Sequence, residues 1–142
     1  GSVVSGLQPS EPGPERPAVT ISTPRGTGVY RLGLLGGHQA HNAAVAVATL
    51  DRLRDAGLTI PDRAGRGGLA GVRWPARVEL VGQRPWAVLD TAHNVPSAEA
   101  LVNTLRESVP AAGRKSVVLA VSADKDVSGI LRALAGYFDH FH

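Results

Sequence analysis

Two polar clusters stand where an apolar run gives way to a helical pattern, and both carry residue types suited to anions. Asp90-Thr91-Ala92-His93-Asn94 follows the run Trp86 to Leu89, and Ser122-Ala123-Asp124-Lys125-Asp126 follows Val117 to Val121. In open parallel α/β sheets, ligands gather beyond the carboxyl ends of the strands, where loops enter helix N-termini. A carboxylate there can accept from ribose hydroxyls, and a histidine can donate to phosphate oxygens beside the positive end of a helix. If the two strands are neighbours, both clusters face one crevice. Each residue also has a plainer use: Asp90 and Asn94 as helix caps, His93 as a partly buried histidine with its bonds satisfied, Lys125 as a solvated loop lysine.

A third cluster, Gly36-Gly37-His38-Gln39-Ala40-His41-Asn42, gathers amides and imidazoles at the start of a helix. It suits hydrogen bonding to a base edge or capping, and position does not decide between them. His38 and His41, three apart, could share a metal on one helical face, but no third ligand accompanies them, so no metal site is assigned. Nor does any glycine precede Lys-Ser or Lys-Thr, the signature of a phosphate loop.

Regular elements must position these clusters. Gly1 to Pro17 holds four prolines among Gly, Ser and Glu, too few apolar groups to offset the entropy of ordering them, and residues 1–18 read as a tail or tag remnant. Val19 to Ser22 and Val29 to Leu35, split by Pro24-Arg25-Gly26-Thr27-Gly28, predict a hairpin. From Asn42, apolar Ala43, Ala46, Val47 and Leu50 predict an amphipathic helix with Asp51, Arg52 and Asp55 on its wet side and Gly57 as its end. Arg63 to Val72 is glycine-rich, a short helix running into a loop.

Arg77 to Val81 and Trp86 to Asp90 read as strands. Ala98, Leu101, Val102 and Leu105 repeat the helical stripe until Pro110 stops it. Val117 to Val121 reads as a strand buried on both faces, Val127, Ile130, Leu131 and Leu134 as another helix, and Tyr137 to Phe141 as the start of another strand. The alternation implies an α/β fold with a parallel sheet. Two or three strands with two helices make a poor core, so the sheet is incomplete and finishes against further chain or a partner.

Composition bounds the class. The 142 residues are 43% hydrophobic, with no cysteine and no methionine, which excludes disulfides and thiolate metal sites. The net charge of +3 and isoelectric point near 10.0 favour an anionic ligand such as a nucleotide phosphate or, less specifically, nucleic acid. The arginines are dispersed rather than clustered, as a solvated surface would have them, and no nucleic-acid partner is assigned. No apolar run approaches the roughly 20 residues that span a bilayer, and no signal pattern opens the chain, so a cytoplasmic protein without a membrane partner is expected. Gly1-Ser2 reads as the scar of a cleaved tag, and the chain as a piece of a longer one.

Taken together, LLGGHQAHNAAVAVATL, VRWPARVEL, VLDTAHNVPSAEAL and VSADKDVSGIL resemble, in order and spacing, the folylpolyglutamate synthase and dihydrofolate synthase family of the Mur ligase superfamily. The similarity runs from about Tyr30 to Leu134, and four linked motifs are far more specific than any one. The resemblance implies that residues 19–74 end a central ATP-binding domain and that residues 75–142 form the N-terminal half of a Rossmann-like ligase domain. It implies Asn42 at the adenine, Arg77 at the ATP phosphates, Asp90 and His93 at ribose and phosphate, and, more loosely, Lys125 at a carboxylate of the incoming glutamate. Arg77 and His93 would be the catalytic pair, acting electrostatically.

The implied reaction is ATP- and Mg-dependent: a folate carboxylate is phosphorylated and glutamate attacks the acyl phosphate to form an amide. The phosphate loop, the Mg ligands and most of the folate surface would lie outside this piece, which alone should be inactive; the full-length enzyme is expected to be a monomer. The family usually has Gly where Ala76 stands and Pro where Val95 stands, with Pro96 here one position late. A Mur-type peptidoglycan ligase is a second reading, against which Gln39 and the DKD triplet lean towards folate. A noncatalytic nucleotide-binding module is a third.

Overall fold

Val19 and Ile21 are buried while their neighbours along the strand are not, the period-two signature of a strand with one face on a core. The computed structural model describes residues 16–109 and 112–142; most of the expected tail and Pro110 lie outside the described residues. The chain divides into two compact units, Gly1–Trp74 and Pro75–His142.

In the first unit, β1 (Ala18–Thr23) and β2 (Gly26–Arg31) pair antiparallel, with Thr23 opposite Gly26. The hairpin loop is therefore only Pro24-Arg25, shorter than the sequence predicts. The Ser22 and Thr27 hydroxyls meet at 2.9 Å across the ladder and carry the pairing through the Gly26-Thr27-Gly28 segment.

Helix α1 (Gly37–Asp55) starts earlier than its apolar stripe, so His38 to Asn42 occupy its first turns. It buries Ala40, Ala43, Ala44 and Val47 against Val19, Ile21 and Leu32, with Tyr30 and Leu69 packed alongside. Its end is a Schellman motif: Gly57, with φ 94°, donates to the Arg54 carbonyl while Leu58 donates to that of Leu53.

Asp51 corrects the expected wet face. It is 5% exposed, accepts from Thr23 Oγ1 at 2.6 Å and pairs with Arg54 at 2.9 Å. A carboxylate can be buried here because a hydroxyl and a guanidinium replace its water. The Thr23 hydrogen bond, and then Arg54, hold its pKa below the usual carboxylate value.

Helix α2 (Asp62–Gly71) forms despite four glycines. Arg66 fixes it to β2 by donating to the Val29 carbonyl at 2.7 Å and by lying over the Tyr30 ring. Gly33 passes so close to the Ala70 and Val72 carbonyls that a Cβ there would overlap them.

In the second unit, β3 (Glu79–Gln83) and β4 (Trp86–Leu89) form an antiparallel pair. Strand β3 begins two residues later than predicted because Ala76 and Val78 have φ of 52° and 47°, a left-handed conformation no strand accommodates. Helix α3 (Val95–Ser108) and helix α4 (Val127–Ala135) pack through Ala98, Val102, Ile130 and Leu134. Between them come β5 (Ser116–Val117) and, after α4, β6 (His140–Phe141), paired in parallel.

The fold is thus α/β with small sheets, and α4 connects a parallel pair as the alternation requires. Two details differ. Strand β5 is short, and Val118 is 84% exposed instead of buried on both faces, because the sheet has two strands and β6 flanks β5 on one side alone. Strands β4 and β5 share no ladder. The helices that follow the two polar clusters pack on each other instead. Gly129, in the first turn of α4, lies so close to the Val95 side chain at the start of α3 that a Cβ would overlap it.

Candidate functional site

The loop from Pro75 to Val78 and the loop from Asp90 to Asn94 are tied together by side chains of the second bonded to the backbone of the first. Asp90 Oδ2 accepts from the Val78 amide at 2.8 Å, and Oδ1 accepts from the Ala92 amide at 2.7 Å. The Thr91 hydroxyl donates to the Ala76 carbonyl at 3.3 Å. Asp90 is therefore not a cap of α3; it joins the end of β4 to the loop that carries Arg77, and each carboxylate oxygen keeps a lone pair.

Glu79, which sequence reasoning missed, completes this arrangement by accepting from the Ala76 amide at 2.8 Å. Nothing in its position beyond WPAR marked it. Arg77 stands between the two pinned residues, exposed, and among the described residues no hydrogen bond or ion pair holds its guanidinium.

His93 is exposed, contrary to the partly buried alternative. Its Nδ1 lies 3.1 Å from the Thr91 carbonyl. A carbonyl only accepts, so Nδ1 carries the proton of that bond and Nε2 is the nitrogen turned to other partners.

Asn94 is the cap the plain reading supposed. Its side chain accepts from the Ser97 amide at 2.9 Å while Ser97 Oγ accepts from the Asn94 amide at 3.1 Å, a reciprocal capping box. Pro96 offers no N–H. The first turn of α3 thus has few free donors, and an anion beside it would depend on side chains and on the helix dipole.

At the start of α4, Asp126 caps by accepting from the Gly129 amide at 2.8 Å. Lys125 Nζ pairs with Asp124 Oδ2 at 2.7 Å, and that bond, followed by one from Ser122, keeps the Asp124 pKa below its usual value. A ligand carboxylate at Lys125 would share the ammonium with Asp124.

Asn42 belongs to the other unit. It is exposed, and its Nδ2 donates to Gln39 Oε1 at 3.1 Å, while Gln39 Nε2 meets His38 Nε2 at 2.9 Å. That unit also has an open cleft of about 580 Å³ between the hairpin tip and the Leu58–Asp62 turn, whose arginines are already committed: Arg54 to Asp51 and Asp62, Arg25 to Asp55, and Arg66 to Val29 and Tyr30. Among the described residues no group of three His, Cys, Asp or Glu could hold a metal ion.

Residues 76–142, which contain both tied loops and both helices, match the family described as Mur ligase, glutamate ligase domain. That segment belongs to the Mur ligase family. The dihydrofolate synthase/folylpolyglutamate synthase of Mycobacterium tuberculosis is 41% identical over 117 residues, 79% of this chain and 24% of that protein. The Bacillus subtilis protein of the same name is 36% identical over 105 residues, 73% of this chain and 24% of its own length. A solved structure of Mycobacterium tuberculosis folylpolyglutamate synthase complexed with ADP and AMPPCP superposes with a TM-score of 0.78 at 37% identity, covering 97% of this chain and 30% of that one.

The chain spans about a quarter of the length of these curated relatives. They place it with the folylpolyglutamate and dihydrofolate synthases, as the four linked motifs lead one to expect.

Proposed function

We propose that this chain is part of an ATP-dependent, ADP-forming enzyme that adds glutamate to folates through an acyl phosphate, a folylpolyglutamate synthase with dihydrofolate synthase as its candidate second activity. Residues 19–74 would close the central ATP-binding domain and residues 75–142 would open the ligase domain. The observation that carries the reading is an uncommitted guanidinium, Arg77, on a loop bonded to the one that carries His93 with Nε2 available. Support for the nucleotide comes from a relative whose structure was solved with ADP and AMPPCP.

In the first step the γ-phosphoryl group of ATP passes to a carboxylate oxygen of the folate, leaving ADP. In the second the glutamate amine attacks the acyl carbon, the C–O bond to phosphate breaks, and the amine loses a proton as the amide forms. Charge builds on the phosphoryl oxygens during transfer, where a fixed guanidinium and an imidazole donor act most strongly. Arg77 and His93 would serve there. Asp90 would use its remaining lone pairs on the ribose, Asn42 would face the adenine, and Lys125 would orient a carboxylate of glutamate. Mg would neutralise the phosphates from ligands outside the residues described. No helix among them is long and apolar enough to cross a membrane, and we place the enzyme in the cytoplasm as a monomer.

The test is steady-state kinetics of the full-length protein with ATP, glutamate and a reduced folate. Arg77→Ala and His93→Ala are each expected to lower kcat by about 100-fold, the usual cost of one donor to a transferring group. Unchanged kinetics for both would remove the site from the chemistry. Titrating the 142-residue chain itself with ATP separates the reading from a noncatalytic module: tight binding by the chain alone would overturn it.

A further inference from the structure

Arg77 sits between two residues in a conformation that L-residues seldom adopt. Ala76 has φ 52° and Val78 φ 47°, and for a β-branched side chain such as Val78 this is a genuine outlier. Such backbone persists only where its surroundings over-determine it. Here the surroundings can be named. The Ala76 amide donates to Glu79 Oε2 at 2.8 Å, and the Val78 amide donates to Asp90 Oδ2 at 2.8 Å. The Ala76 carbonyl is held by Thr91, and the Val78 side chain is buried at 4% exposure. Both amides that flank Arg77, the Ala76 carbonyl and the Val78 side chain are thus bonded or packed, while Arg77 itself has no partner among the described residues.

We propose that Glu79 is a positioning residue: its carboxylate, with that of Asp90, clamps the backbone on both sides of Arg77 and so sets the direction in which the guanidinium leaves the loop. The inference rests on the reading of Arg77 as a contact to the nucleotide phosphates. A second role follows from charge. Glu79 is spent on a backbone amide instead of on Arg77, so the carboxylate nearest in sequence does not neutralise the cation, and the full charge stays available to an anion. The clamp is also asymmetric. Asp90 must serve the end of β4 as well, through Ala92, whereas among the described residues the Glu79 side chain bonds the Ala76 amide alone, so the Glu79 carboxylate is the one that can be removed without severing the β4 loop.

Calorimetric titration of the full-length protein with ADP, in a double-mutant cycle, tests this. Arg77→Ala is expected to weaken binding by about tenfold and Glu79→Ala by about threefold. The double variant should bind no more weakly than Arg77→Ala, because a guanidinium that is gone cannot be misdirected. Glu79→Gln, which keeps an oxygen to accept from the Ala76 amide, should bind like the parent.

If Arg77→Ala leaves affinity unchanged, the phosphate reading of Arg77 falls. If Arg77→Ala weakens binding but Glu79→Ala is silent, or the two effects multiply in the double variant, the clamp is refuted while the phosphate reading stands. Should Glu79→Ala not fold, Glu79→Asp, a methylene too short to reach the Ala76 amide, takes its place in the same cycle.

Discussion

The tripeptide Ala-His-Asn occurs twice in this chain, at residues 40–42 and 92–94, and the two copies do different structural work. In the first, Ala40 is buried in the core and Asn42 lies within α1, its amide spent on Gln39 one turn back. In the second, Asn94 has an extended backbone, φ −147° and ψ 167°, and caps α3 from outside. What precedes and follows decides the difference. Gly36, with φ 106°, releases the chain straight into a helix that has no side-chain cap, whereas Asp90 bonds the Ala92 amide and Ser97 closes a capping box around Asn94. Three residues of identical type thus say little about role until the hydrogen bonds of their neighbours are counted.

The largest expected effect comes from the residue that anchors the helix carrying the first copy. Asp51 is buried and satisfied by Thr23 and Arg54, so Asp51→Ala leaves Arg54 without its buried partner and should cost the first unit about 3 kcal/mol. Urea melts followed by amide signals of each unit would show it; equal loss in both units, or loss under 1 kcal/mol, would break the contrast between them. The sign with pH follows from its lowered pKa. The folded state binds the Asp51 proton more weakly than the unfolded one, so the contribution is complete above the ordinary value of 3.8 and disappears as pH falls through the lower folded value. Asp51→Asn should flatten that part of the acid-unfolding curve.

How much of this was legible in the sequence depends on the range of the interaction. The buried stripes of α1, α3 and α4 follow from apolar residues three and four apart, and the Gly57 stop follows from local geometry. Polar Arg52 and Asp55 beside it point Asp51 to water; its actual partner Thr23 is 28 residues away on a hairpin, beyond any helical pattern. The apolar pattern starts β3 two residues early because it does not reveal that Ala76 and Val78 are left-handed. Arg77 and His93 could be singled out by motif, yet Glu79 could not, since its contribution is one backbone hydrogen bond.

A smaller effect compares the two copies directly. Asn94→Ala removes the N-cap acceptor of α3 and should cost about 1 kcal/mol, whereas Asn42→Ala loses one exposed side-chain contact and should stay within about 0.5 kcal/mol. Thermal melts of the two variants decide it. Similar losses would mean that the capping box contributes no more than a surface contact and that the two copies are structurally equivalent after all.

Two further effects of about that size or less have opposite signs, which makes them the sharpest. In the first unit the positive-φ positions Gly26, Gly36 and Gly57 are all glycines; in the second, Ala76 and Val78 adopt positive φ, as Gly113 does. A Cβ costs about 1 kcal/mol or more in that conformation, against the extra entropy glycine brings to the unfolded chain. Gly57→Ala meets no neighbour within 4 Å, so its effect is backbone alone and should destabilise by about 1 kcal/mol. Ala76→Gly should instead stabilise, by about 0.5 kcal/mol, with the midpoint of thermal unfolding rising by a few degrees. If Ala76→Gly raises stability while also weakening ADP binding, the methyl helps stiffen the loop around Arg77. If it lowers stability, the left-handed alanine is no burden, and the two units handle positive φ at equal cost.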